Sequence, residues 1–197
     1  MFTGIIETLG EVKSIESQGT NKTFYIKSNI SQELKIDQSV AHNGVCLTVI
    51  SLDGDLHGVT AIQETLEKTN LSNLKVGDQV NLERCMKSDG RFDGHMVYGH
   101  VDGVGVCEDL VEKNGSTEFI FSYPKENMSL LVEKGSVTIN GTSLTVFNLD
   151  ENRFTVAIIP YTLEHTTIKD VQKGTSVNLE YDILGKYVAR ISNFKSA

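Results

Sequence analysis

The strongest constraint on this chain is that it says nearly the same thing twice. "NGVCLTV" occupies positions 43–49 and "NGTSLTV" positions 140–146. With Gly44 set against Gly141 and the offset held, Leu52-Asp53 meets Leu149-Asp150. Thr65-Leu66-Glu67 meets Thr162-Leu163-Glu164, and Val80-Asn81-Leu82-Glu83 meets Val177-Asn178-Leu179-Glu180. Roughly 18 of about 44 ungapped positions are identical, far above what unrelated segments give. The copies also begin alike, "TGIIETLGEV" (3–12) against "YGHVDGVGVC" (98–107). A unit of roughly 95 residues therefore occurs twice, with a polar, glycine-rich junction at "SDGRFDGH" (88–95).

Within one unit the pattern is mostly strand. "KTFYIKS", "VCLTVIS", "LHGVTAI" and "QVNLER" are short, β-branched or aromatic, and separated by turn signals such as "LDGD" and "KVGDQ". Evenly spaced short strands in a unit this small predict an antiparallel barrel. "ETLEKTNLSNL" and "YTLEHTTIKDV" each have room for a short helix before the last strand. After the second copy, Leu184, Tyr187 or Val188, Ile191 and Phe194 recur at spacings of three and four, an amphipathic helix. It either packs on its own barrel or forms a seam between subunits.

A net charge of −8 disfavours a general nucleic-acid binder, which needs a basic face, and disfavours adhesion to anionic membranes. No apolar run approaches a membrane span, and the first residues lack the basic and apolar regions of a signal peptide. Cys46, Cys85 and Cys107 match neither a zinc ribbon nor a disulfide framework, so they are expected as free thiols in a reducing cytoplasm.

Eight motifs in order resemble riboflavin synthase of the α-chain type, built from two lumazine-binding domains. They are "MFTGIIE", "NGVCLTV", "ETL", "VNLER", "GRFDGHMVYGHVDG", "KGSVTINGTSLTV", "IPYTLEHTT" and "LGKYVAR". The resemblance implies an all-β fold of two similar six-stranded antiparallel Greek-key barrels from an internal duplication, plus a C-terminal α-helix. The expected divisions are 1–94, 95–183 and a trimerising helix at 184–197. It implies a cytoplasmic homotrimer with sites between the N-terminal barrel of one subunit and the C-terminal barrel of its neighbour. Association with lumazine synthase is a further expectation. The implied reaction is a dismutation, in which two molecules of 6,7-dimethyl-8-ribityllumazine exchange a four-carbon unit without metal or redox cofactor. The products are riboflavin and 5-amino-6-(D-ribitylamino)uracil.

Two copies of one substrate in different roles call for two pockets alike in shape but different in key polar groups. Cys46 against Ser143 is such a difference, since thiol and hydroxyl differ in acidity and nucleophilicity. The substrate's 7-methyl protons are acidic, so catalysis needs proton removal, anion stabilisation and held rings. By resemblance Cys46, His95, His100, Ser143 and Asp182 carry that work. Cys46 has the alternative of a small buried hydrophobe, and Asp182 that of a helix N-cap. Ribityl hydroxyls need polar partners, for which Thr48, Glu64, Thr65, Thr145 and Thr162 are candidates. The backbones of Gly4-Ile5-Ile6 and Gly99-His100-Val101 are expected at ring edges, and Lys134 near polar substrate atoms. Leu47, Thr60, Ala61, Ile62 and Gln63 are further substrate-binding expectations, matched by Leu144, Ala157, Ile158, Ile159, Pro160 and Tyr161. The chain departs from the family in having Thr60 where Asp is frequent and Asp93 where Gly is frequent.

Two rival readings share the barrel. A lumazine or flavin carrier, like the antenna proteins of luminous bacteria, could dispense with catalytic groups in one copy. The joint presence of Cys46, His95, His100, Ser143 and Asp182 speaks against it. An oligonucleotide-binding or flavoreductase-type barrel is disfavoured by acidity, few aromatics, no tryptophan and no dinucleotide fingerprint.

Overall fold

The computed structural model describes residues 1–195; Ser196 and Ala197, the end of the expected helical segment, lie outside the described residues. The first copy supplies β1 (Thr8–Gln18), β2 (Asn21–Lys27), β3 (Ser39–His42), β4 (Val45–Asp53), β5 (Leu56–Ala61), α1 (Gln63–Lys68) and β6 (Gln79–Arg84). The second supplies β7 (Gly103–Lys113), β8 (Ser116–Ser122), β9 (Ser136–Ile139), β10 (Thr142–Thr145), β11 (Arg153–Ile158), α2 (Pro160–His165) and β12 (Ser176–Tyr181). Helix α3 (Ile183–Lys195) follows, beginning one residue before the expected boundary.

The first six strands close into an antiparallel barrel in the order β1-β2-β5-β4-β3-β6. The second six repeat that order, but their sheet runs β10-β9-β12-β7-β8-β11 and stays open between β10 and β11. There β4's nine residues have only a four-residue counterpart. The backbone turns left-handed at Asn148 (φ 49°), and Glu133 accepts from the amides of Asn148 and Leu149. A single bridge between Phe147 and Thr155 spans the gap.

Alternation of side chains across each strand fills the interiors. Phe24, Ile26, Val40, Leu47, Val49, Val59, Val80 and Leu82 fill one barrel; Phe119, Phe121, Val137, Ile139, Phe154, Val156, Val177 and Leu179 fill the other. Each such side chain contributes about 1.5–3 kcal/mol by leaving water. The first core also holds a buried polar chain. His42 donates from Nδ1 to the Val40 carbonyl at 3.1 Å, which leaves its Nε2 to accept from His57 Nε2 at 2.9 Å. His57 Nδ1 then accepts from Ser31 Oγ at 2.8 Å. At the matching places of the second barrel stand Ile139 and Phe154.

The two "NG" hairpins meet at the seam between the barrels. Asn43 (φ 45°) and Gly44 (φ 79°) form one tight turn, Asn140 (φ 47°) and Gly141 (φ 80°) the other, as two-residue hairpins require. A Cβ on Gly44 would lie 2.6 Å from Gly141 N, and one on Gly141 would lie 2.7 Å from Gly44 N. Around this contact, Asn81 Nδ2 donates to the Asn140 carbonyl and Asn178 Nδ2 to the Asn43 carbonyl, both at 2.8 Å. The carboxamide oxygens of Asn81 and Asn178 accept from the amides of Thr167 and Asn70. Each repeated Asn thus holds the other copy, and these buried polar groups are satisfied across the seam.

Helix α3 does not lay its apolar stripe on its own barrels. Leu184, Tyr187, Val188, Ile191 and Phe194 are each 55–70% exposed. Its first turn is fixed by Asp182, whose Oδ1 accepts from the Leu184 amide at 2.9 Å, and by a Lys186–Asp102 ion pair at 2.7 Å. Among the described residues no helix is long and apolar enough to cross a membrane.

Candidate active site

The segments leading into β1 and β7 behave as two arms, and each is shared between the copies. The Gly4 carbonyl accepts from Ser143 N at 2.8 Å; the Gly99 carbonyl accepts from Cys46 N at 2.9 Å. So the first arm lies on the second barrel and the second arm on the first. The contact is flat: a Cβ on Gly4 would sit 2.6 Å from Ser143 Cβ, and one on Gly99 would sit 2.6 Å from Cys46 Cβ. Inside its own copy, Glu83 accepts from the amides of Thr3 (2.6 Å) and Gly4 (3.0 Å). Glu180 likewise accepts from the amides of Tyr98 (2.7 Å) and Gly99 (2.9 Å).

Each arm completes a cavity. One, of about 280 Å³, is walled by Cys46, Glu64, Thr65, Lys68, Gly99, His100 and Val101. The other, of about 500 Å³, is walled by Ser143, Tyr161, Thr162, His165, Gly4, Ile5 and Ile6. They are one backbone frame with different side chains. Where the first has Cys46, His100 and a Glu64–Lys68 ion pair at 3.2 Å, the second has Ser143, Ile5 and a Tyr161–His165 ring stack at 4.2 Å.

The model of the lumazine binding domain matches residues 3–85 and again 98–182. Riboflavin synthase from Actinobacillus pleuropneumoniae is 41% identical over 189 residues, covering 95% of this chain and 88% of that protein. Riboflavin synthase from Bacillus subtilis (strain 168) is 39% identical over 191 residues, 96% of this chain and 89% of that protein. The chain belongs to the riboflavin synthase family. Among solved structures, LumP complexed with riboflavin superposes with a TM-score of 0.86 at 23% identity, covering 92% of this chain and 100% of that chain, a likeness of fold.

In this member of the riboflavin synthase family the two candidate histidines part company. His100 lines the first-barrel cavity. His95 is not in the wall of the second but contacts Ser143, which is, with its Nδ1 2.7 Å from Ser143 Oγ. Burial holds His95 below the ordinary histidine value, and the Asp182 carboxylate opposes that shift. The imidazole and the serine hydroxyl are thus joined by one hydrogen bond, whose donor is set by the histidine tautomer. Asp182 takes its N-cap reading at the start of α3, and its charge favours the protonated form of His95 against the effect of burial. Burial pushes the Cys46 thiol up, with a hydrogen bond to Ser39 pulling the other way, so near neutrality it is a proton-bearing thiol. That suits a hydrogen-bond donor or acid better than a standing nucleophile.

The remaining candidates divide by place. Gly4, Ile5, Ile6, Tyr161 and Thr162 line one cavity; Glu64, Thr65, Gly99 and Val101 line the other. Leu47, Ala61 and Ile158 are buried in the barrels, so their side chains serve the cores. Thr48, Ile62, Gln63, Thr145, Ala157, Ile159 and Pro160 are exposed on strand faces or at helix starts, and Leu144 is half-buried against the second core. Thr60 is tied to Thr23 by a hydroxyl contact of 2.8 Å. Lys134 occupies a left-handed turn (φ 66°) outside both cavities, with its ammonium 5.1 Å from the Phe147 ring centre. Asp93 faces Arg91 at 3.7 Å rather than His95. Among the described residues no group of three or more His, Cys, Asp or Glu is placed to hold a metal ion.

Sequence reasoning passed over Glu83, Glu180, Lys68 and His165. For the glutamates the signal was present: both copies read Val-Asn-Leu-Glu, and an acid that closes an apolar strand in both copies needs a partner for its carboxylate.

Proposed function

We propose that this chain converts two molecules of 6,7-dimethyl-8-ribityllumazine into riboflavin and 5-amino-6-(D-ribitylamino)uracil by moving a four-carbon unit from one to the other. The observation that carries the reading is the pair of cavities with one backbone frame and unlike polar groups, a substrate pair held alike and treated differently. His100 and Cys46 act on the molecule in the first-barrel cavity. His95 and Ser143, with Asp182 behind them, act on the one in the second. One pair removes a 7-methyl proton while the other donates to the ring that receives carbon. Two rings fixed at reacting distance supply much of the acceleration. Thr65 and Glu64 in the first cavity and Thr162 in the second hold ribityl hydroxyls.

The test is incubation of purified, metal-free protein with the lumazine, followed by riboflavin absorbance and chromatography. One riboflavin should appear per two lumazines consumed, with no added cofactor. Tight binding without product would make the protein a carrier. His100→Ala should lower turnover on the order of 100-fold, the range of a lost acid–base group, and weaken lumazine binding far less; wild-type turnover would refute the role.

The assembly is a cytoplasmic homotrimer, with the first-barrel cavity of one subunit facing the second-barrel cavity of the next. The exposed stripe of α3 supports it, since five large apolar side chains in water on one helix call for a partner. Deleting residues 183–197 should leave smaller species by light scattering, and an undiminished particle would sink the idea. An association with lumazine synthase belongs to the same proposal, and co-sedimentation of the two proteins tests it.

A further inference from the structure

Neither Glu83 nor Glu180 is needed as an acid or base in that reaction, and both are costly. They are 5% and 4% exposed, and neither makes an ion pair among the described residues. Burying a carboxylate without a cation in contact costs several kcal/mol unless its oxygens are fully hydrogen-bonded. Both occupy the same place in the two copies, at the inner end of β6 and of β12. Both spend their oxygens on one arm: Glu83 on Thr3 N, Thr3 Oγ1 and Gly4 N, Glu180 on Tyr98 N and Gly99 N.

The arm so held does its work on the other barrel. Gly4, held by Glu83, seats its carbonyl on Ser143 N, and Ile5 and Ile6 follow it into the wall of the second cavity. Gly99, held by Glu180, seats its carbonyl on Cys46 N, and His100 and Val101 follow it into the first. We propose that Glu83 and Glu180 are positioning residues for the reaction: each clamps its own arm so that the arm completes the substrate cavity of the opposite barrel. The proposal rests on the function proposed above and adds residues to it.

The chemistry explains why the clamp is a carboxylate. Two consecutive amide N–H groups need two acceptors side by side, and an ionised carboxylate offers acceptors only. A glutamine of the same shape offers one oxygen and turns an NH₂ toward the second N–H. One hold is lost and two donors face each other. The arm then drifts from the strand it covers, and His100 moves with it in the Glu180 case.

The experiment compares Glu83→Gln and Glu180→Gln in the full chain by turnover, thermal melting and peptide-resolved alkylation of Cys46 by iodoacetamide across pH. Each variant should lose turnover on the order of 10- to 100-fold, as a reacting group displaced by about 1 Å does. Alkylation of Cys46 should accelerate and move to lower pH in Glu180→Gln. There the Gly99 cover loosens, and the carboxylate that helps hold the thiol up has lost its charge. In Glu83→Gln, whose arm lies on the other barrel, the Cys46 profile should stay as in the wild type. A merely structural role would lower melting in both and move Cys46 in both or in neither. Equal Cys46 profiles in the two variants, or full turnover in both, would overturn the proposal. If a glutamine variant does not fold, the Asp variant keeps the charge and shortens the reach, and faster Cys46 alkylation in Glu180→Asp but not in Glu83→Asp, without the shift in pH, is the contrast read from it. The alkylation contrast needs no ligand, so it judges the clamps even if the wild type makes no riboflavin.

Discussion

Gly44→Val is expected to destabilise the protein by about 3–5 kcal/mol and to lower its melting temperature by about 10 °C. Two costs combine. A non-glycine residue at φ 79° pays about 1–2 kcal/mol for the left-handed backbone. The added Cβ would also stand 2.6 Å from Gly141 N and 2.8 Å from Gly141 Cα. Those are backbone atoms on the opposite hairpin, so no rotamer change relieves the contact. The barrels must part, and the asparagine bonds across the seam stretch with them. Gly54 provides the control: its φ is 59° and a Cβ there meets nothing within 4 Å. Gly54→Val should show the backbone cost alone. Urea unfolding of both variants checks the claim, and equal losses would remove the close contact from the account.

Acid should weaken the first barrel selectively. Burial pushes His42 down to about 3 and His57 down to about 4, and their mutual proximity adds to the first shift. The sign follows from where protons bind. Above about pH 6.5 both rings are neutral folded and unfolded, and their contribution is complete. As pH falls below 6.5 the unfolded chain takes up protons that the folded barrel refuses, so stability is lost until each ring protonates in place. At about 1.4 kcal/mol per pH unit for each ring, the pair costs about 4 kcal/mol between pH 6.5 and 5. Glu83 and Glu180, whose carboxyls burial pushes up, bind protons sooner in the folded state and offset part of this nearer their own range. The double variant His42→Ile, His57→Phe installs the residues of the second barrel and leaves those glutamates in place. Its stability at pH 5 should fall much less relative to pH 7 than that of the wild type. Parallel stability curves for the two proteins would show that the histidine pair does not control acid sensitivity.

Much of this architecture is legible without coordinates. The offset between Gly44 and Gly141 carries the duplication, and alternation in "KTFYIKS" or "QVNLER" carries the strands, because both are properties of consecutive residues. The stripe from Leu184 to Phe194 announces α3 for the same reason. The contrast of Cys46 with Ser143 marks the repeated place at which the two cavities carry unlike polar groups. Several outcomes could not be read this way. Nothing in "NLDENRF" announces that Asn148 turns left-handed and leaves the second sheet open. His42 and His57 stand fifteen positions apart, and only the successive β3–β4 and β4–β5 fold-backs set their ring nitrogens 2.9 Å from each other.

Most of all, the exchange of arms is invisible in sequence. A repeat suggests two self-sufficient units, each with its own pocket. In the folded chain Gly4 covers Ser143 and Gly99 covers Cys46, so each cavity takes its floor from one copy and its wall from the other. The sequence by itself determined two six-stranded antiparallel units, the helix and the unlike side chains at one repeated place, since these follow from local periodicity and from residue chemistry. The tertiary structure alone decided which arm serves which barrel. That choice depends on backbone hydrogen bonds between segments some 50 to 140 residues apart, and an amide or carbonyl is the same group in every residue that could have supplied it.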